Sequence, residues 1–201
     1  MKKLLCVLIA LILTLSLCAC AAGDKKQNSG QVLAQAELTQ EEEDVLSLLG
    51  AGKSIVFDYK VGESIRTVRL ERYELNADGG WTAMGGGSFI CGSTSGRIAL
   101  SMDPDRNEIR FAIQDEHGTS AVQNNYPVSD FVGMSVATSY VSNETGITPD
   151  QEIPLAVQIL TTQNETHSYA PDYFFHPEEY AQHGYEHVYA VTVTFSEDGL
   201  N

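Results

Sequence analysis

The sequence predicts an all-β fold: an antiparallel β-sandwich or jelly roll of about 8–9 strands, with one short N-terminal helix. Three observations carry this. From Ser54 onward apolar residues recur with a period of two, as a half-buried strand requires. The alternating runs are separated by Gly-, Asn- and Asp-rich turn signals. No long helical pattern lies between them, which disfavours βαβ architecture.

Each element follows in order. Thr39-Gln40-Glu41-Glu42 matches a capping box, and Glu41, Glu42, Glu43 and Asp44 fill a first turn where the helix dipole favours negative charge. Val45, Leu48 and Leu49 then share one edge and Gly50 supplies a stop, so the segment 38–50 holds a helix over 39–49. That apolar edge is expected to dock on the domain. Ile55, Phe57, Tyr59 and Val61 alternate, and a second strand runs over 65–75 to the turn Asn76-Ala77-Asp78-Gly79-Gly80. Trp81–Met84 and Ser88–Cys91 flank three glycines, which suit a bulge or a bend. Ile98, Leu100 and Met102, then Ile109, Phe111 and Ile113, form a hairpin about residues 103–107. Further strands are predicted at 119–126, 133–142 and 153–162, and over 189–195 with Tyr189, Val191, Val193 and Phe195 on one face. A domain over 53–201 is large enough to bury a core without disulfides.

The chain of 201 residues carries 12 Lys plus Arg against 27 Asp plus Glu, a net charge of −15. Such a surface repels phosphates, and no basic cluster counters it, so nucleic acid is excluded as a partner. Residues 1–20 combine Lys2-Lys3, an apolar run from Leu4 to Leu17 and a small-residue zone. This is the layout of a secretory signal, and the run is shorter than the about 20 residues a bilayer span needs.

Leu17-Cys18-Ala19-Cys20 resembles the lipobox of bacterial lipoproteins. The resemblance implies removal of a signal peptide over 1–19, a diacylglyceryl group on Cys20, and a place on the extracytoplasmic face of a bacterial cell membrane. The position two before Cys20 departs from the family pattern, since Cys18 stands where a small or β-branched residue is usual. Ala19-Cys20-Ala21 also fits an A-x-A site for ordinary secretion. Residues 20–37 read as the lipidated cysteine and a flexible tether. If Cys20 is lipidated, Cys91 has no disulfide partner, and its apolar context Phe89-Ile90-Cys91 makes it a buried small hydrophobe.

Catalytic motifs are missing. Gly92-Ser93-Thr94-Ser95-Gly96 is no nucleophile elbow, and the glycine-rich stretch 85–96 lacks the Lys of a P-loop. Asp103, Asp105 and Asn107 have the spacing of the first calcium ligands of an EF-hand, but Glu108 and Gln114 occupy the positions that need Gly and Glu. A hairpin turn produces the same string.

The stretch 167–187 is the strongest candidate site. It holds His167, His176, His183 and His187, four of the five histidines, beside several carboxylates. Imidazole and carboxylate suit zinc, which is the one metal cofactor the chain suggests. The same stretch offers Tyr169, Tyr173, Phe174, Tyr180 and Tyr185 as a ligand-contact loop, and Trp81 could join them in stacking on a glycan. Six aromatics, Phe175 included, are too many to leave solvated. At least two, chiefly from Tyr173, Phe174 and Phe175, are expected to pack as a lid on the end of the sandwich. Two functions are therefore open. One is a lipid-anchored, non-catalytic binding or interaction module for an unknown protein, glycan or small molecule. The other is a metal-binding protein or metal-dependent enzyme.

Overall fold

The computed structural model describes residues 30–48, 51, 53–127, 131–167 and 169–200. Two antiparallel sheets face each other. The first is six-stranded, in the order β7-β6-β5-β2-β1-β9, and the second five-stranded, in the order β4-β3-β11-β10-β8. The strands are β1 (Val32–Gln35), β2 (Ile55–Lys60), β3 (Thr67–Leu75), β4 (Trp81–Ile90), β5 (Ser95–Asp103), β6 (Glu108–Asp115), β7 (Gly118–Asn124), β8 (Ser135–Tyr140), β9 (Thr145–Gly146), β10 (Glu152–Thr161) and β11 (His187–Ser196). Helix α1 spans Gln40–Leu48, and a single turn, α2, spans Glu178–Ala181.

The alternation read from the sequence becomes the inner faces. Phe57 from β2, Ile98 and Leu100 from β5, Phe111 from β6, and Val191, Val193 and Phe195 from β11 are all fully buried between the sheets. Each such side chain contributes roughly 1.5–3 kcal/mol. The predicted β5–β6 hairpin forms, with Pro104–Arg106 as a 3-10 turn closed by Asn107 at φ 54°.

Two strands come as additions. Val32–Gln35 is not tether: it pairs with β2 on one side and β9 on the other, and Leu33 is 1% exposed in the core. Residues 32–35 of the expected 20–37 tether are therefore strand, residues 20–29 lie outside the described residues, and the sandwich includes residues before 53. A strand this short, with one large inward residue, leaves no periodic signal.

β4 runs unbroken through the glycines. Its register with β3 shifts opposite Arg72, which makes a bulge at Met84-Gly85, with Gly85 at φ +82°. The buried Arg72 guanidinium pins it, donating through Nη2 to the Met84 carbonyl at 2.6 Å and through Nη1 to that of Asn125 at 2.9 Å. At Gly86 a Cβ would lie 1.8 Å from the Leu70 carbonyl oxygen.

α1 starts as predicted. The Thr39 amide donates to the Glu42 carboxylate at 2.8 Å, and the Glu42 amide donates to the Thr39 hydroxyl at 3.3 Å. Of the expected docking edge, Val45 is 54% and Leu48 86% exposed, and Leu49 lies outside the described residues. Charge holds the helix: Arg97 on β5 reaches Glu42 at 3.2 Å and Asp58 at 2.9 Å.

Candidate functional site

The stretch between β10 and β11 is a packed lid, but it covers the outer face of the five-stranded sheet and not the end of the sandwich. Phe174 and Tyr180 bury against Val157, Ile159, Val188 and Ala190, flanked by Tyr73, Leu75 and Trp81. The 3-10 turn Pro171–Phe175 points Phe174 inward and leaves Tyr173 39% and Phe175 56% exposed. Two of the loop's aromatics bury, as expected, but only Phe174 comes from the favoured Tyr173, Phe174 and Phe175, and the second is Tyr180 from α2. Tyr169 and Tyr185 are half-buried at the margin. Both faces of β10 and β11 are consequently covered, which explains their nearly continuous burial.

Two ties hold the lid. The Trp81 indole donates to the Phe174 carbonyl at 2.7 Å and stacks on that ring, so it is a packing element and no open platform for a sugar. At the lid's far end Glu186 accepts from the hydroxyl and amide of Thr162. Hydroxyl donation from Thr161 and Thr162 holds the Glu186 carboxyl down at about 2.

The four histidines fall in three places. His167 and His183 lie with ring centroids 4.4 Å apart, and His183 Nε2 meets the Tyr169 hydroxyl at 2.6 Å. His176 is exposed beside Glu178, at 3.4 Å. His187, at the start of β11, stacks on Tyr189 and faces Glu74 at 3.3 Å. Among the described residues no three His, Cys, Asp or Glu side chains gather as a metal-holding group. In the Asp103-Asp105-Asn107 turn, Asp103 accepts from the Asp105 amide, and Lys53 pairs with Asp105 at 2.8 Å. Cys91 is buried as expected, and desolvation pushes its thiol up.

A different site emerges that sequence patterning missed. A cleft of about 840 Å³ opens between α1 and β8, past the C-terminal end of β1. Its floor reaches between the sheets to Ile55, Met102 and Gln158. Gln158 is 1% exposed and fully engaged: its Oε1 accepts from the Tyr126 hydroxyl at 2.5 Å, and its Nε2 donates to Thr138 Oγ1 at 2.8 Å. Val136, Thr138 and Tyr140 form one wall, and Glu43, Asp44 and Leu46 of α1 the other. The Tyr140 hydroxyl donates across the cleft to the Lys53 carbonyl at 3.2 Å. The cleft exists because β1 and β9 are short, which leaves the two sheets unsealed beside β8. No local pattern in Ser135–Tyr140 announces that, since the wall is set by strand order.

The chain matches no protein-family model, no curated protein and no solved structure.

What remains is the chemistry of the cleft itself. It combines an apolar floor with hydrogen-bonding and acidic walls, and none of its lining residues forms a nucleophile–base pair. The arrangement suits non-covalent binding.

Proposed function

We propose that this protein is a membrane-anchored, extracytoplasmic lipoprotein whose single β-sandwich is a non-catalytic binding module, with the α1–β8 cleft as its ligand site. The observation that carries the anchor is Leu17-Cys18-Ala19-Cys20 behind Lys2-Lys3 and its apolar run. Cys20 lies outside the described residues. Residues 21–31 separate it from β1, a span of at most roughly 40 Å when fully extended. β1 enters its sheet at Val32, opposite Lys60, and leaves it at the cleft. A tether at one end of the strand would therefore set the cleft at the other, away from the bilayer.

Intact-mass measurement of the membrane fraction tests the anchor. A diacylglyceryl adduct on a chain starting at Cys20, lost in Cys20→Ser, is the expected result. A lipid-free soluble product starting at Ala22 would overturn it. The cleft is tested by titrating a small-molecule panel and following backbone amide shifts. Shifts should gather at Thr138, Tyr140, Gln158 and Lys53, and saturable binding confined to any other surface counts against the site.

A further inference from the structure

The cleft wall is also a sheet edge. Among the described residues β8 pairs only with β10, in the register Tyr140↔Ala156, Thr138↔Gln158 and Val136↔Leu160. Just past the strand, the Val141 amide donates to the Leu155 carbonyl at 2.9 Å. In an antiparallel ladder successive residues turn their N–H and C=O to opposite sides. Val141, Ser139, Ala137 and Ser135 therefore aim theirs at β10, and Tyr140, Thr138 and Val136 aim theirs outward. The residues with outward backbone groups are the same three whose side chains line the cleft. An extended chain laid along this edge would complete the ladder and drop alternate side chains toward Ile55 and Met102.

Charge selects the occupant. Glu43 and Asp44 line the opposite wall. The cleft's lysine, Lys53, is neutralised by Asp105 at 2.8 Å, with Asp103 at 3.9 Å. The chain as a whole is at −15. We propose that the α1–β8 cleft is a β-strand addition site for an extended, Lys- or Arg-bearing polypeptide segment, pairing with the outward N–H and C=O groups of Val136, Thr138 and Tyr140. Main-chain pairing supplies affinity in this mode, and the pockets and charge supply selectivity. The proposal rests on the binding-module reading and names the partner class for that site.

The test uses the full chain in detergent micelles. The probe is a capped heptapeptide alternating lysine and valine, with a glutamate–valine counterpart as control. The lysine peptide should shift the amides of Val136, Thr138 and Tyr140 saturably and protect them from hydrogen exchange, and the glutamate peptide should bind at least tenfold more weakly. N-methylation of the peptide at one alternate set of nitrogens should abolish binding, while methylation of the other set is tolerated. Val136→Pro removes one outward donor at an edge position where proline is accommodated, and should weaken binding about tenfold or more. Glu43→Lys with Asp44→Lys should do the same. Should Val136→Pro fail to fold, the methylation pair on the unaltered protein decides. Equal binding of both peptides, indifference to methylation at either set, or no shift at β8 would overturn strand addition. If small molecules still shift the cleft amides in that case, the binding-module reading stands and only the peptide partner falls.

Discussion

Trp81 and Phe174 are joined twice: the indole N–H donates to the Phe174 carbonyl at 2.7 Å, and the rings stack at 5.2 Å between centroids. The pair fastens the lid to the strand beneath it at the one point where β4 begins. Phe174 also tilts against Tyr73 at 5.1 Å, so its side chain is gripped from two strands.

The first prediction follows from that grip. Phe174→Ala opens a hole over Val157 and Val188 and should cost about 3–5 kcal/mol in chemical denaturation. Phe175→Ala, at the exposed neighbouring position, should stay within about 0.5 kcal/mol. Trp81→Phe keeps an aromatic ring but loses the N–H donor and part of the stacking on Phe174, and should cost at least about 1 kcal/mol. Equal effects at Phe174 and Phe175 would mean that the lid does not pack this way.

Gly86 provides a second test. A Cβ there would meet the Leu70 carbonyl oxygen at 1.8 Å, and backbone cannot swing aside as a side chain can. Gly86→Ala should break the β3–β4 ladder beside the bulge, with a loss above 4 kcal/mol or failure to fold, near the upper end of single-site effects. Gly146→Ala has nothing within 4 Å and should be near neutral. Both are read from the denaturation midpoint.

The tie between Glu186 and Thr162 at the lid's far end is sensitive to acid. Its carboxyl is lowered from the ordinary 4.5 to about 2, by the hydroxyls of Thr161 and Thr162 first. A carboxyl lowered on folding adds stability that is present above the unfolded value and lost as pH falls through the folded one. The contribution should therefore be complete above about pH 4.5 and vanish toward pH 2. Glu186→Gln should be less stable than the parent at pH 6 and should converge with it near pH 2. The group is open to solvent, so the difference will be small. The Thr162 amide signal is the most direct reporter, and a gap that persists unchanged to pH 2 would contradict the assignment.

Much of the fold was legible because β-structure writes its burial into every second residue. The alternation at Ile55–Tyr59, Ile98–Met102 and Tyr189–Phe195 assigned inner faces without knowledge of which strands pair, and the capping box at Thr39–Glu42 is wholly local. The sequence also determined the acidity and the lack of nucleophile motifs, neither of which depends on shape.

Only the tertiary structure decided the rest. β1 is a strand because β2 and β9 flank it, and the paired residues Val32 and Gly146 lie far apart along the chain. The lid's destination depends on which face of β10 and β11 lacks cover, so its aromatics predicted packing but not the outer sheet face. Spacing placed four histidines in one stretch, yet β11 carries His187 to Glu74 while α2 and its flanks keep His183 with His167. The cleft had no local trace at all. It is the gap left where two short strands fail to seal the sandwich beside β8, and a gap is a property of arrangement, which no run of neighbouring residues encodes.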